Sequence, residues 1–579
     1  MRIPSLAMAL LASGMAMPAG AQTIYPLDRA EIMSGGRFDF KVEFPGAPAQ
    51  AEVKVTINGQ DPAAFFGKPA QFIAREDGLD HSAYVIRDVH FITPGAAQVT
   101  ATVGGQSASV KWEVFGARGP AAARNVILFI GDGMSIAHRT AARIMSKGLV
   151  EGRYGGELAI DDMPNMALVS TSGTDSVVTD SANAMSAYTT GHKTCVNALG
   201  VYCARNKSSL DHPRVETLGE LAHRKGMAVG VVTNTEIEDA TPAGMVAHTR
   251  RRADYNDIVQ MFWTVKPEVI MGGGSVNFLP KSTPGSRRPD ETDYIRNFEQ
   301  AGWRFAATDA EMKAAAKDPA TTKLLGLFNT GNIDGALDRR LLRKGTVGRF
   351  PDQPDLADQV RVSLELLQKN PNGFVLMVES GRIDKYSHSL DPERAVFDTI
   401  MLDNAVRAAK EWAQARGDTM IVVVPDHAHM VGVMGTYDDE RPGTTPREKL
   451  GTYAESKFPN YPAPDADGYP AKVDVSRRLA FGFGTYPDHC SNGHPFLDGE
   501  FVPAVAGAKP GTFVANEKYC GAPGAVRITG NLPADASTGV HAADDVLLTA
   551  MGPGSAQFHG RIDNTRVFRA IVTALSLGD

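Results

Sequence analysis

Six short, near-continuous apolar runs constrain this chain more than any other feature: Asn125–Ile130, Ala228–Thr233, Glu268–Gly274, Gly373–Val378, Thr419–Val424 and Val546–Met551. A strand with one wet face alternates apolar and polar residues. A strand apolar at nearly every position must be covered on both faces. Between the runs lie helical patterns such as Asp355–Asn370 and Glu393–Arg416. Strand and helix alternation of this kind predicts an α/β fold, with a mainly parallel central sheet and helices on both faces.

The chain before these runs has a different texture. Residues 22–117 alternate with period two, as in Phe38–Phe44, where Phe38, Phe40, Val42 and Phe44 share a face. Two alternating runs flank Gly104-Gly105, a hairpin signal. A small all-β sandwich, Ig-like, is expected there, followed by a larger domain over 118–579. Residues from about 431 to 535 are rich in Gly, Pro and Tyr and weakly periodic, and they read as an irregular insertion near the mouth of a site.

The first residues carry Arg2, an apolar stretch from Leu6 to Met17, and the small residues Ala19-Gly20-Ala21. This is the pattern of a secretory signal peptide over 1–21. It implies a protein secreted across the inner membrane, periplasmic or extracellular. No later run approaches the ~18 apolar residues of a membrane span. Four cysteines suit an oxidising compartment. Of the three possible connectivities, local pairing of Cys195 with Cys203 and of Cys490 with Cys520 is expected. A four-cysteine zinc site lacks the C-x-x-C spacing it would use. A net charge of −7 argues against nucleic acid as a specific partner, which calls for a basic surface.

Function is indicated by the polar residues at the ends of the runs. The first run leads into Gly131-Asp132-Gly133, the fourth into Glu379, and the fifth into Pro425-Asp426-His427. Ligands of open α/β sheets bind outside the carboxyl ends of strands. A single Asp there is an ordinary helix N-cap; three carboxylates with histidines attached point to a metal site. Glu379, Asp384 and His388 are spaced by five and four residues, and Asp384 and His388 share a face if the piece is helical. His541 is a further candidate ligand. Several carboxylates on one edge need cations to offset their repulsion, and paired metals serve phosphoryl-group hydrolysis. Ser181 opens a small-residue helix that closes near Gly191. It is either a cap or a nucleophile. Arg250, Arg251 and Arg252 offer planar donors for a phosphate.

These segments, GDGM, VTDSANAMSAYTTGHKT, EDATPAGMVAH, VESGRIDKYSH, PDHAH and HAADDVLLTAMGPG, together resemble the serine-nucleophile alkaline phosphatases, in order and spacing, from about Asn125 to the C-terminus. The resemblance implies hydrolysis of phosphate monoesters through a phosphoserine at Ser181. It implies a first zinc on Asp384, His388 and His541, and a second on Asp132, Asp426 and His427. It also implies a magnesium held by Asp132, Thr241 and Glu379. The phosphate-binding arginine falls on Arg252, with Arg250 or Arg251 the choice if the count slips. Asp180, Asp239 and Lys385 match supporting positions. The Asp239/Lys385 pair is the bacterial one, which favours magnesium as the third metal. Members are commonly dimeric, so a homodimer is possible. The nearest alternative is a phosphodiesterase or nucleotide pyrophosphatase of the same superfamily. Those typically use Thr as nucleophile and lack the third metal site. The sulfatase motif is absent around Ser181. A binding protein with a closed structural zinc site would not place a hydroxyl and an arginine among the ligands.

Overall fold

The computed structural model describes residues 22–579, so the segment read as a signal peptide lies outside the described residues. The chain divides into two compact units. The first comprises the chain up to Ala30, Asp39–Val89 and Gly95–Glu113; the second holds the rest.

In the first unit, Phe38–Pro45 lies in one antiparallel sheet with Thr23–Tyr25, His81–Val89 and Gln71–Ile73. A second sheet contains Val53–Ile57, Gly95–Val103 and Gln106–Phe115. The hairpin at Gly104-Gly105 is present, both glycines at positive φ (56° and 80°) as a type I′ turn requires. The alternation in Phe38–Phe44 hides a second buried face. Asp39, Lys41 and Glu43 are buried as well. The Lys41 ammonium donates to Glu76 at 2.7 Å and lies 3.1 Å from Glu43, and His81 Nε2 is 3.0 Å from Glu76. Buried charges of this kind persist when they are mutually paired.

Glu31–Phe38 and His90–Pro94 group with the second unit, where Phe38 bridges Val215 and stacks 6.1 Å from Phe91. Ten strands build the central sheet of that unit: β1 (Asn125–Gly131), β2 (Asn165–Ser170), β3 (Ala228–Glu236), β4 (Val269–Gly273), β5 (Arg304–Ala306), β6 (Leu324–Leu327), β7 (Phe374–Ser380), β8 (Thr419–Val424), β9 (Val546–Met551) and β10 (Arg561–Asp563). Their order is β5-β6-β4-β3-β7-β1-β8-β9-β2-β10. All six apolar runs are strands of it. Only β9 opposes its neighbours; it pairs antiparallel with β8 and β2.

Alternate residues of β1 enter different cores. Val126, Leu128 and Ile130 pack with Met185 and Tyr188 of helix α1 (Ser181–Thr190). Ile127 and Phe129 pack with Val396 and Ile400 of the long helix Pro392–Gln414. A continuous apolar strand is what a sheet covered on both faces demands.

The central order β7-β1-β8 positions the site. Glu379 is in register with Ile130 of β1, as is Val424 of β8. Glu379, Asp132 and Asp426 therefore emerge at one edge. Between β7 and the long helix lies helix α2 (Arg382–His388), which turns Asp384 and His388 onto that edge. With the helix ranges given, Pro392–Gln414 is α3. Its Arg394 is fully buried, forked onto Asp338 at 2.8 and 2.9 Å and donating to Asp391 at 2.8 Å. Arg394→Leu leaves two buried carboxylates without their cation. We expect a loss of about 3–5 kcal/mol in urea unfolding; a change under about 1 kcal/mol would show the fork is dispensable.

The segment from 431 to 535 is less irregular than its composition suggests. Val431–Asp438 and Arg477–Phe483 form an antiparallel pair with a shift of register between Val433 and Gly435. Gly432, Gly435 and Gly482 interrupt the pattern that would have revealed it. Both expected disulfides are formed, with Cα atoms 6.1 Å apart for Cys195–Cys203 and 5.1 Å for Cys490–Cys520.

Candidate active site

The edge collects its groups from segments far apart in sequence. Asp132 follows β1 directly, and Gly133 takes φ 64°, where a Cβ would meet Asp384 and the ring of His429. Only glycine allows that approach. Asp426 and His427 follow β8 after Pro425. The carboxylate Oδ1 of Asp426 accepts from the backbone amides of Gly133 and His427, each at 3.0 Å. Beyond them, Ala428–His429 pairs with His541–Ala542, so that His429 faces His541.

Around Asp384 the imidazoles converge. Its Oδ1 lies 2.6 Å from His429 Nε2, 3.3 Å from His388 Nε2, 3.4 Å from His541 Nε2 and 3.8 Å from His427 Nε2. The Nε2 atoms of His388 and His541 are 2.9 Å apart, and the His427 and His541 rings stack at 3.5 Å. Near the other end, His427 Nε2 lies 3.3 Å from Asp132 and 3.4 Å from Asp426. Ser181 Oγ is 3.3 Å from the same nitrogen. Thr241 Oγ1 donates to Asp132 at 3.5 Å. Glu379 receives Thr233 and, at 3.0 Å, Thr235 from the neighbouring strand β3. Two donor sets are close enough to share an ion: Asp384, His427, His429 and His541, and Asp132, Asp426 and His427.

His388 lies on Asp384 without joining the first of these sets; His429 takes that place. His429 sits in the quoted PDHAH segment but carries no role in the sequence reading. Its signal is the i+2 spacing from His427, which puts both rings on one side of an extended chain. Nothing in the sequence announces that Asp384 lies opposite.

Ser181 heads α1. Asp180 is the N-cap residue with extended backbone, and Gly191 closes the helix with φ 75°. Of the three arginines, Arg252 reaches the site; its fork lies between Asp180 and Asp239, the latter at 2.8 Å. Arg250 donates to the Val196 carbonyl, and Arg251 is exposed beside Asp254. Lys385 donates to the second Asp239 oxygen at 2.6 Å.

The electrostatics are those of unneutralised acids. Burial, and then Asp426, Asp384 and Glu379, push Asp132 well above the usual carboxylate range. Burial and Asp384 push Asp426 up to about 7. Burial works the same way on Asp384, but His388 and His429 outweigh it and hold that carboxylate well below its ordinary value. Burial opposes ionisation of Asp239 too, and Lys385 and Arg252 overcome it. Burial and His541 hold His427 well below the ordinary imidazole range, so it presents a neutral ring. Asp132 Oδ1 and Asp426 Oδ2 are buried with no hydrogen-bond donor. Carboxylate oxygens without donors beside neutral imidazoles fit divalent cations.

Comparison with known proteins agrees with this chemistry. The sequence profile of the family described as alkaline phosphatase matches residues 123–466, more than half of the chain. The chain is 32% identical over 361 residues to the alkaline phosphatase of Escherichia coli K12, covering 56% of this chain and 74% of that one. It is 33% identical over 344 residues to alkaline phosphatase H of Pseudomonas aeruginosa, covering 53% and 70%. Among solved structures, the alkaline phosphatase of Thermus thermophilus superposes with a TM-score of 0.56 at 23% identity, covering 79% of this chain and 93% of that one. A TAB5 alkaline phosphatase variant with Mg bound in its M3 site gives 0.53 at 20%, covering 79% and 98%. Those two likenesses speak to the fold alone. On the profile and the sequence identities, the chain belongs to the alkaline phosphatase family of phosphomonoesterases.

Proposed function

We propose that this protein hydrolyses small phosphate monoesters through a phosphoserine at Ser181. The observation that carries the reading is the position of Ser181 Oγ, 3.3 Å from His427 Nε2 and at the head of α1. A helix N-terminus favours the anion that the seryl oxygen would carry.

Asp384, His388 and His541 would hold one zinc, with His429 orienting Asp384 from the side. Asp132, Asp426 and His427 would hold a second zinc, and Asp132, Thr241 and Glu379 a magnesium, whose preference for oxygen suits that set. When bound, these ions supply Lewis acidity that lowers the pKa of a hydroxyl and stabilises charge on the leaving oxygen. Arg252 orients the phosphate by two parallel hydrogen bonds to its equatorial oxygens, and Asp180 and Asp239 hold that guanidinium in place. Ser181 Oγ forms the bond to phosphorus as the ester oxygen leaves with a proton as the alcohol. Water then attacks the phosphoserine, freeing inorganic phosphate and restoring the hydroxyl. Lys385 acts on Asp239, and through it on Arg252.

Export fits the same reading. The segment 1–21 has the form of a cleaved signal, and disulfides persist in oxidising compartments. The segment 22–117 would then be a β-domain ahead of the catalytic one.

The discriminating experiment compares p-nitrophenyl phosphate with bis(p-nitrophenyl) phosphate under saturating zinc and magnesium. The monoester is expected to be preferred by on the order of 10³-fold in kcat/KM, since two dianion charges meet the site's cations where the diester offers one. Preference for the diester would transfer the site to the phosphodiesterases.

A further inference from the structure

The segment after His429 encloses a cavity of about 270 Å³ that the hydrolysis described above does not use. Its walls are aromatic: Tyr437, Phe481, Phe483, Tyr486, Phe496 and Phe501 all line it. Phe496 and Phe501 stack face to face at 3.8 Å, and Tyr519 packs edge-on against Phe501 at 4.7 Å. The wall is fixed to the catalytic unit: the Phe501 amide donates to buried Asp391, and Glu500 accepts from Ser389 at 2.6 Å.

One carboxyl faces this cavity. Glu393, in the first turn of α3, is only 6% exposed and lines the pocket, and among the described residues no other group donates to it. No lysine or arginine is among the lining residues. Nearby Arg394 and Arg478 are both committed, to Asp338 and to Asp439. His489, also in the wall, gives its Nδ1 to the Pro487 carbonyl. Burial, with Asp391 adding to it, pushes Glu393 up to about 8. A cation beside it would reverse that shift.

Three of the lining residues stand close in the chain or the sheet to candidate metal ligands. Leu390 lines it and follows His388 by two residues. Phe483 pairs with Val431, two residues past His429. Tyr486 adjoins Thr485, whose hydroxyl donates to the carbonyl of Val540, next to His541. Two residues of chain span at most about 7 Å, the length of a small alcohol.

We propose that this cavity receives the alcohol portion of the phosphate ester, and that the alcohol it fits carries an alkylammonium group. Aromatic faces attract a cation through their quadrupole, and Glu393 supplies the one opposing charge. An anionic alcohol would meet Glu393 and no lysine or arginine there. The inference rests on the phosphomonoesterase reading of the site and names its substrate class.

The test compares O-phosphocholine with its uncharged isostere 3,3-dimethylbutyl phosphate, with p-nitrophenyl phosphate measured on the same preparations. In the unaltered enzyme, kcat/KM for phosphocholine is expected to exceed that for the isostere roughly tenfold. In Glu393→Gln and, independently, in Tyr486→Leu, that ratio is expected to fall to about threefold or less. Choline alone should raise the KM for p-nitrophenyl phosphate at concentrations roughly tenfold below 3,3-dimethylbutanol. Equal kcat/KM for the two esters in the unaltered enzyme, or one ratio shared by all three proteins, would overturn the inference while leaving the phosphatase reading intact. Failure to hydrolyse any of the three esters would count against that reading itself.

Discussion

Replacement of Ser181 by alanine is expected to abolish the phosphorylated enzyme and to lower turnover of p-nitrophenyl phosphate by on the order of 10³-fold or more. The side chain is nearly inaccessible, at 2% exposure, and its loss removes a single oxygen from a site otherwise held by the sheet edge. Ala182, Met185 and Tyr188 keep α1 in the core, and Asn183 still accepts from the Asp180 amide at the start of the helix, so the fold should survive. Residual activity would come from Arg252 and the cations acting on a water. Intact mass after brief exposure to substrate reads the outcome directly. A phosphorylated species in Ser181→Ala, with an unchanged burst, would place the nucleophile elsewhere.

Removal of divalent cations is the second large effect. Chelation is expected to lower hydrolysis by on the order of 10³-fold or more, and zinc with magnesium to restore it. Stability should respond as well, with a sign that can be worked out. Burial and the Asp384 carboxylate push Asp426 up to about 7, from 3.8 for an ordinary Asp. Between those values the folded chain binds a proton that the unfolded chain has lost, so this group's contribution to stability declines as pH rises through the window. Cations need the ionised carboxylate and neutral imidazole, so their binding strengthens over the same range. The gap in melting temperature between metal-loaded and chelated protein should therefore widen from about pH 5 to about pH 8. Full activity after exhaustive chelation, or a gap independent of pH, would contradict the metal assignment.

Much of this architecture was legible because its strongest signals are local. A run apolar at every position admits few placements other than the middle of a covered sheet, and the acid that follows it must then lie at the carboxyl edge. That logic places Asp132, Glu379 and Asp426. Other parts have no local signal. The strands Arg304–Ala306 and Arg561–Asp563 have three residues each, too few for a period to show. The second buried face of Phe38–Phe44 reads as solvent-facing because its residues are charged; partners distant in sequence, among them Glu76, His81 and Arg87, make it a core. The contribution of His429 depends on Asp384, 45 residues away, and a contact at that distance is set by tertiary packing.

The short pairing of Ala428–His429 with His541–Ala542 has a meaning beyond the ligands it presents. It joins the two ends of everything between residues 430 and 540, like a drawstring at the neck of a pouch. Once such a neck is closed, lengthening the loop costs little, about 0.6 kcal/mol for each doubling. Exposed loops inside the pouch can thus lengthen at little cost, while the contacts of Phe501 with Asp391 and of Glu500 with Ser389 hold its wall and the imidazoles at its neck stay in register. Specificity for the alcohol can drift there without disturbing the machinery that handles the phosphate. Varying the cavity-lining residues of that segment, with its contacts to Asp391 and Ser389 kept, is the natural way to give this catalytic unit a new preference.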